Sequence, residues 1–146
     1  MMELDPNVWG PHYWFVLHTI ALCYPTHPND VTKKKYYEFI QNLPLMIPVE
    51  RIGNSFSDLI DRYPVTPYLD SRESFQKWIH FIHNKVNFKL ALPELSFAES
   101  IDKYFYNYKP KEFLQREKLR QKEKFIFILS MFFLIGFIFI AYTNKK

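Results

Sequence analysis

Cysteine is nearly absent. The 146 residues hold one, Cys23, which excludes any internal disulfide and any all-cysteine metal site and leaves the redox compartment open. Glycine is scarce as well, three residues against ten prolines, so the connections are proline-marked turns rather than glycine-rich loops. No N-terminal signal peptide is visible, because the first ten residues carry Glu3 and Asp5 and no apolar run. A basic surface is also missing from most of the chain. The net charge is +4, but residues 111–146 hold eight Lys/Arg against three Asp/Glu, leaving eleven against twelve in residues 1–110. The one basic run in that part, Lys33 to Lys35, sits near a helix start and reads as a solvated face, so nucleic acid is not an expected partner.

What the chain does have is apolar and aromatic content, 48% and 19%, arranged with helical periodicity in nearly every segment. The expected fold is all-α. A first helix opens at Gly10-Pro11, with Trp14, Leu17, Ala21 and Tyr24 facing a core and His18 beside Leu17. A second runs from about Thr32 to Leu43 with Tyr36, Phe39 and Ile40 inward. After Pro44 and Pro48 a third begins with Val49 to Ile52 and carries Ile52, Phe56, Leu59, Ile60 and Tyr63 on one face. Asp70 with Glu73 reads as a capping box for a fourth helix, and Ser96 with Glu99 repeats the pattern for a short fifth, whose face is Phe97, Ile101, Tyr104, Phe105 and Tyr108.

The fourth helix holds the unusual chemistry. His80, His83, Asn84 and Asn87 recur at i, i+3, i+4 and i+7 and share one face. A core stripe of Phe75, Ile79, Ile82, Val86 and Leu90 runs about 110° away around the helix. A polar face flanking a core, rather than opposite it, lies at the rim of a pocket. Three readings follow from the residues alone: a binding or catalytic face, half of a metal site at His80 and His83 that lacks further ligands of suitable spacing, or packing.

The C-terminal part differs in kind. Residues 125–142 contain no charge, and fourteen of the eighteen are Phe, Ile, Leu or Met. At 1.5 Å per residue such a helix is about 27 Å long, against roughly 30 Å of hydrocarbon. The expected organisation is a helical domain over 1–108, a basic stalk over 109–124, a membrane span over 125–142 and a short tail over 143–146. Six Lys/Arg and three Asp/Glu between Lys111 and Lys124, with only two lysines beyond the span, keep the domain on the cytoplasmic side of a single-pass tail anchor.

Trp9-Gly10-Pro11, Trp14, Leu17-His18-Thr19 and then His83-Asn84-x-Val86-Asn87-x-x-Leu90, with Pro48 opening a helix between them, resemble the Erv/ALR family of FAD-linked sulfhydryl oxidases, in particular the short forms of large DNA viruses. The resemblance covers roughly residues 8 to 108. It implies a four-helix bundle with a short fifth helix, holding FAD among Gly10, Trp14 and His18 of the first helix, Ser55 of the third, His80, His83, Asn84, Val86, Asn87 and Leu90 of the fourth, and Tyr104 of the fifth, where relatives often carry tryptophan. It implies dimerisation, with a second copy or with an active oxidase. Family chemistry needs a Cys-x-x-Cys pair at the start of the third helix, and those positions here are Val49 and Ile52, which cannot exchange with a disulfide. Ser55 stands where viral relatives often have histidine, Leu92 where a lysine usually precedes Pro93, and His80 and Phe97 where some relatives form a structural disulfide. The expectation is therefore a membrane-anchored flavin-binding or partner-binding module of the oxidase family without its dithiol relay. Two alternatives remain: an active thiol oxidase that uses a partner's cysteines, and a cofactor-free structural membrane protein. Cys23, near the end of the first helix, reads as structural.

Overall fold

The computed structural model describes residues 4–143, apart from the side chains at 138, 139 and 141. The described residues form α1 (Pro6–Cys23), α2 (Asp30–Asn42), a 3₁₀ turn (Leu43–Met46), α3 (Glu50–Arg62), a second 3₁₀ turn (Thr66–Tyr68), α4 (Arg72–Lys89), α5 (Phe97–Tyr106) and α6 (Lys111–Thr143), with no strand among them. One compact unit extends to Tyr104 and a second begins at Phe105.

Capping chemistry sets the helix starts, and two of them differ from the sequence reading. The Asp5 carboxylate accepts from the Asn7 N–H at 2.8 Å, so α1 begins at Pro6 and Pro11 lies inside it instead of opening it. Proline there cannot serve the Asn7 carbonyl, but both residues are exposed and water can. At α4 the cap is Ser71, whose hydroxyl accepts from the Ser74 N–H at 3.2 Å. The expected Asp70–Glu73 box does not form, because Asp70 is held by Lys33 of α2 at 2.7 Å and Glu73 by Lys77 at 2.6 Å. The Ser96–Glu99 box does form: the Ser96 N–H donates to the Glu99 carboxylate at 2.8 Å and the Glu99 N–H to the Ser96 hydroxyl at 3.2 Å.

The core of the first unit lies where α1 and α4 pack along each other, closed by α2, α3 and the two 3₁₀ turns. Leu17, Ala21 and Tyr24 of α1 meet Phe75, Trp78, Ile79 and Ile82 of α4, with Ile40, Leu43, Phe56, Leu59, Ile60, Val65 and Leu69 around them. Polar atoms taken into this core are paired. The Tyr24 hydroxyl donates to the Leu69 carbonyl at 2.7 Å and the Trp78 indole N–H to the Tyr63 carbonyl at 3.0 Å. Leu90, expected on the core stripe of α4, is 62% exposed, because the helix ends at Lys89 and the chain turns away. The turn is a Schellman closure: the Leu92 N–H reaches the Asn87 carbonyl at 2.9 Å and the Ala91 N–H the Phe88 carbonyl at 3.1 Å, with Ala91 at φ 54 where glycine is usual. On α5 only part of the expected face is inward, since Tyr104 is buried whereas Phe105 and Tyr108 are exposed.

Gly53 lets α3 approach the first 3₁₀ turn. A Cβ at this position would lie 2.6 Å from the Pro44 carbonyl oxygen, and that oxygen belongs to the backbone and cannot swing aside. Gly53→Ala should therefore destabilise the first unit by about 1–3 kcal/mol, the usual cost of overpacking, despite alanine's better helix propensity. A urea midpoint equal to or above that of the parent would show that the turn can yield.

In the second unit α6 runs unbroken from Lys111 to Thr143. Among the described residues, no helix is long and apolar enough to cross a membrane. The expected span at 125–142 is only partly within them, since the side chains at 138, 139 and 141 lie outside the described residues.

Candidate functional site

The polar residues of α4 are half-buried, as a face at the edge of the core should be, and they meet α1 and the chain before α5. The indole of Trp14 lies parallel to the His83 imidazole, with ring centroids 4.0 Å apart and planes 7° from parallel. Trp14 also meets the buried Phe56 of α3 edge-on at 6.4 Å, which fixes the indole from behind. One turn along α1, His18 Nε2 and His83 Nδ1 are 3.1 Å apart, so one ring donates its N–H to the other.

That hydrogen bond requires one acceptor nitrogen and hence at least one neutral ring. Burial pushes His18 down to about 4, with His80 adding to the shift. Burial likewise pushes His83 to about 3, with further lowering from His18, Lys103 and His80 in that order. His80 is lowered by burial. At neutral pH the face is thus a set of neutral imidazoles offering both N–H donors and bare nitrogen acceptors.

Tyr104 closes one side of the face. Its ring stacks on Phe15 at 5.1 Å and 19°, lies 6.5 Å from His18 and has its hydroxyl 2.8 Å from that of Thr19. Thr19 has a single O–H and also reaches the Phe15 carbonyl at 2.8 Å, which can only accept. Thr19 therefore donates to that carbonyl, and Tyr104 donates to Thr19.

Asn84 and Asn87 are occupied within the chain. Asn84 grips Leu95 from both sides, donating to its carbonyl at 2.8 Å and accepting from its N–H at 3.1 Å, while its amide lies 3.3 Å from His80. Asn87 reaches the Pro93 carbonyl at 3.4 Å. The two side chains tie the 90–95 loop to α4. Asn84→Ala should leave a half-buried N–H and C=O without partners and lower stability by about 2 kcal/mol. A thermal midpoint unchanged within error would mean that water replaces the amide at no cost.

The remaining expected site residues fall around this centre. Gly10 is half-buried, and a Cβ there would meet nothing within 4 Å. Val86 packs on the core, and Leu90 is exposed at the end of α4. Ser55 is exposed and accepts from Lys89 at 3.2 Å. His80 and Phe97 are brought together edge-on at 5.5 Å. Val49 is the N-cap residue of α3 without a side-chain cap, and Ile52 lies in its first turn; both are half-buried. Two participants escaped the sequence reading. Thr19 was visible only as part of a motif, and Lys103, which acts electrostatically on His83, stands beside Tyr104 with no periodic signal to mark it.

The chain is similar to known proteins in sequence and in fold. The pattern of the Erv1 / Alr family fits residues 11–107. A probable FAD-linked sulfhydryl oxidase of Acanthamoeba polyphaga mimivirus is 33% identical over 100 residues, covering 68% of this chain and 70% of the relative. A putative FAD-linked sulfhydryl oxidase of Invertebrate iridescent virus 3 is 29% identical over 103 residues, 70% of each chain. Among solved structures, the yeast Erv1 core superposes with a TM-score of 0.62 at 27% identity, covering 75% of this chain and 87% of that one. The FAD binding domain of Erv1 from Saccharomyces cerevisiae gives 0.61 at 29% identity, over 65% and 89%. With its family pattern spanning all of α2 to α5 and most of α1, and its all-helical architecture shared with the Erv1 core, the chain belongs to the Erv1 / Alr family of FAD-linked sulfhydryl oxidases.

Proposed function

We propose that this chain is a flavin-holding member of its family that has no dithiol relay of its own, is anchored by the helix after Lys124, and acts as a flavin-binding or partner-binding module. The observation that carries the reading is the placement of its one thiol. Cys23 is exposed at the last residue of α1, nine residues and about 14 Å along the helix from Trp14. The start of α3 holds Val49 and Ile52 instead. A lone thiol can form only mixed or intermolecular disulfides, so dithiol oxidation has no internal route.

The face suits FAD by its chemistry. Trp14 offers an aromatic plane, and His18, His80 and His83 offer neutral donors and acceptors. The charge that acts on His83 from outside the imidazoles is the cation of Lys103, and no carboxylate is among the groups that shift either ring of the His18–His83 pair, which favours an anionic diphosphate nearby. Among the described residues none lies within 4 Å of a Cβ placed at Gly10, which leaves room against α1. When bound, the flavin supplies two-electron redox chemistry; this chain's residues bind it, orient it and, by burial, exclude water around it.

Membrane anchoring is supported by α6 itself. Phe125, Ile126, Phe127 and Ile128 are 66%, 54%, 65% and 54% exposed, and four consecutive helical residues point to all sides. A helix apolar around its whole circumference needs an apolar surrounding. The excess of basic residues before it favours the cytoplasmic side for the domain.

The test is the visible spectrum of the purified chain together with oxygen uptake in dithiothreitol. Expected are bound flavin, released on denaturation, and uptake at the rate without protein. Turnover typical of sulfhydryl oxidases would overturn the loss of the relay, and a colourless protein would overturn the flavin assignment and leave a scaffold.

A further inference from the structure

We infer that the last two turns of α6 before Phe125 form a cationic collar that selects anionic phospholipid headgroups. The inference rests on the membrane-anchoring reading above and deepens it. Between Lys118 and Lys124 the helix carries Lys118, Arg120, Lys122 and Lys124 against the single acid Glu123. At about 1.5 Å per residue, all four lie within roughly 10 Å of Phe125, about one Debye length in physiological salt.

Their placement around the axis identifies the partner. At about 100° per residue, Lys118 and Lys122 share one side, and Arg120 and Lys124 share a side whose centre lies about 160° away. A helix lying along a nucleic acid, or flat on a bilayer, gathers its cations on one side. Cations on opposed sides are all engaged only when the charged partner surrounds the helix. A headgroup layer crossed by an upright helix does this, and the apolar residues that follow without a helix break hold the collar at that depth.

The cations are also available. Among the described residues, Lys109–Glu117 at 3.9 Å is the one ion pair in this stretch, so none of the four collar residues is neutralised by a carboxylate within 4 Å. Glu123 is adjacent in sequence to Lys122 and Lys124 and three residues from Arg120, on a neighbouring part of the surface, but it forms no ion pair within 4 Å with any of them.

The full chain reconstituted in phosphatidylcholine vesicles containing a minor fraction of phosphatidylserine provides the test. Spin-labelled lipids of both kinds report the composition of the shell around the helix, and resistance to alkaline extraction reports insertion. The expected result is an extraction-resistant chain whose shell prefers phosphatidylserine roughly five- to tenfold. That preference should fall to about onefold in high salt and in the K118Q/R120Q/K122Q/K124Q variant, which still inserts. An inserted chain with no headgroup preference overturns the collar and leaves the anchor standing. A chain removed by alkali overturns the anchor and the collar with it. Retention of an RNA oligonucleotide at physiological salt, lost in the same variant, overturns the headgroup assignment in favour of nucleic acid.

Discussion

Val49→Cys together with Ile52→Cys should raise the chain's thiol oxidation far above that of the parent. The parent is expected to consume oxygen with dithiothreitol at the background rate, and the double variant roughly 100-fold or more faster, a small part of the enhancement typical of enzymes. The two positions are suited to a dithiol. Val49 is the N-cap of α3 and Ile52 lies one turn on, its N–H bonded to the Val49 carbonyl at 2.9 Å. Residues spaced in this way have Cβ atoms about 5–6 Å apart, a small adjustment from disulfide separation. The positive end of the helix dipole lowers a thiol's pKa there, which raises the thiolate fraction at neutral pH. In the balanced reaction two substrate thiols become one disulfide, and two electrons and two protons pass to oxygen as hydrogen peroxide. Either single variant should stay at background, because one cysteine cannot form the internal disulfide through which the pair takes up two electrons from the substrate and passes them on. A double variant that carries flavin, shows by mass a disulfide between the two introduced thiols, and still consumes no oxygen would show that α3 does not present these positions to the cofactor.

Acid should unfold the first unit earlier than its carboxylates alone would require. In the unfolded chain His18 and His83 titrate near 6.5; in the folded chain burial holds them at about 4 and about 3. Between those limits the unfolded state binds protons that the folded state refuses, so stability is complete above about pH 6.5 and falls as pH drops toward 4. At pH 4.5 each ring contributes a loss on the order of 2–3 kcal/mol, and the pair a loss comparable with the whole stability of a small domain. Glu73 and Glu99, lowered by hydrogen bonds to Lys77 and Ser96, add their losses only at the more acidic end. Urea midpoints at pH 7.5, 6, 5 and 4.5 measure the slope. His18→Gln and His83→Gln should each flatten it between pH 6.5 and 5. A profile level over that interval would mean that the pair takes up a proton in the folded state without cost.

The helices themselves, their inward faces and the polar stripe of α4 were legible in the residues, because each depends on spacing within a few turns. Phe75, Ile79 and Ile82 are buried and His80, His83, Asn84 and Asn87 half-buried where periodicity put them. The scarcity of cysteine, one residue and therefore no cysteine pair in this sequence, is a property of the sequence alone. So is the uncharged run after Lys124. Tertiary structure decided what periodicity cannot sense: which partner each polar atom finds. Asn84 looked like one more ligand group, yet it spends both its donor and its acceptor on Leu95, eleven residues on. Spacing put His18 only beside Leu17 on the first helix, and the packing of α1 on α4 places its ring against His83, 65 residues away. Asp70 had the spacing of a cap, but Lys33, 37 residues earlier, lies near enough to take its carboxylate, and Ser71 caps α4 instead. In each case the deciding interaction joins residues far apart in sequence, and which of them meet depends on the whole bundle being folded.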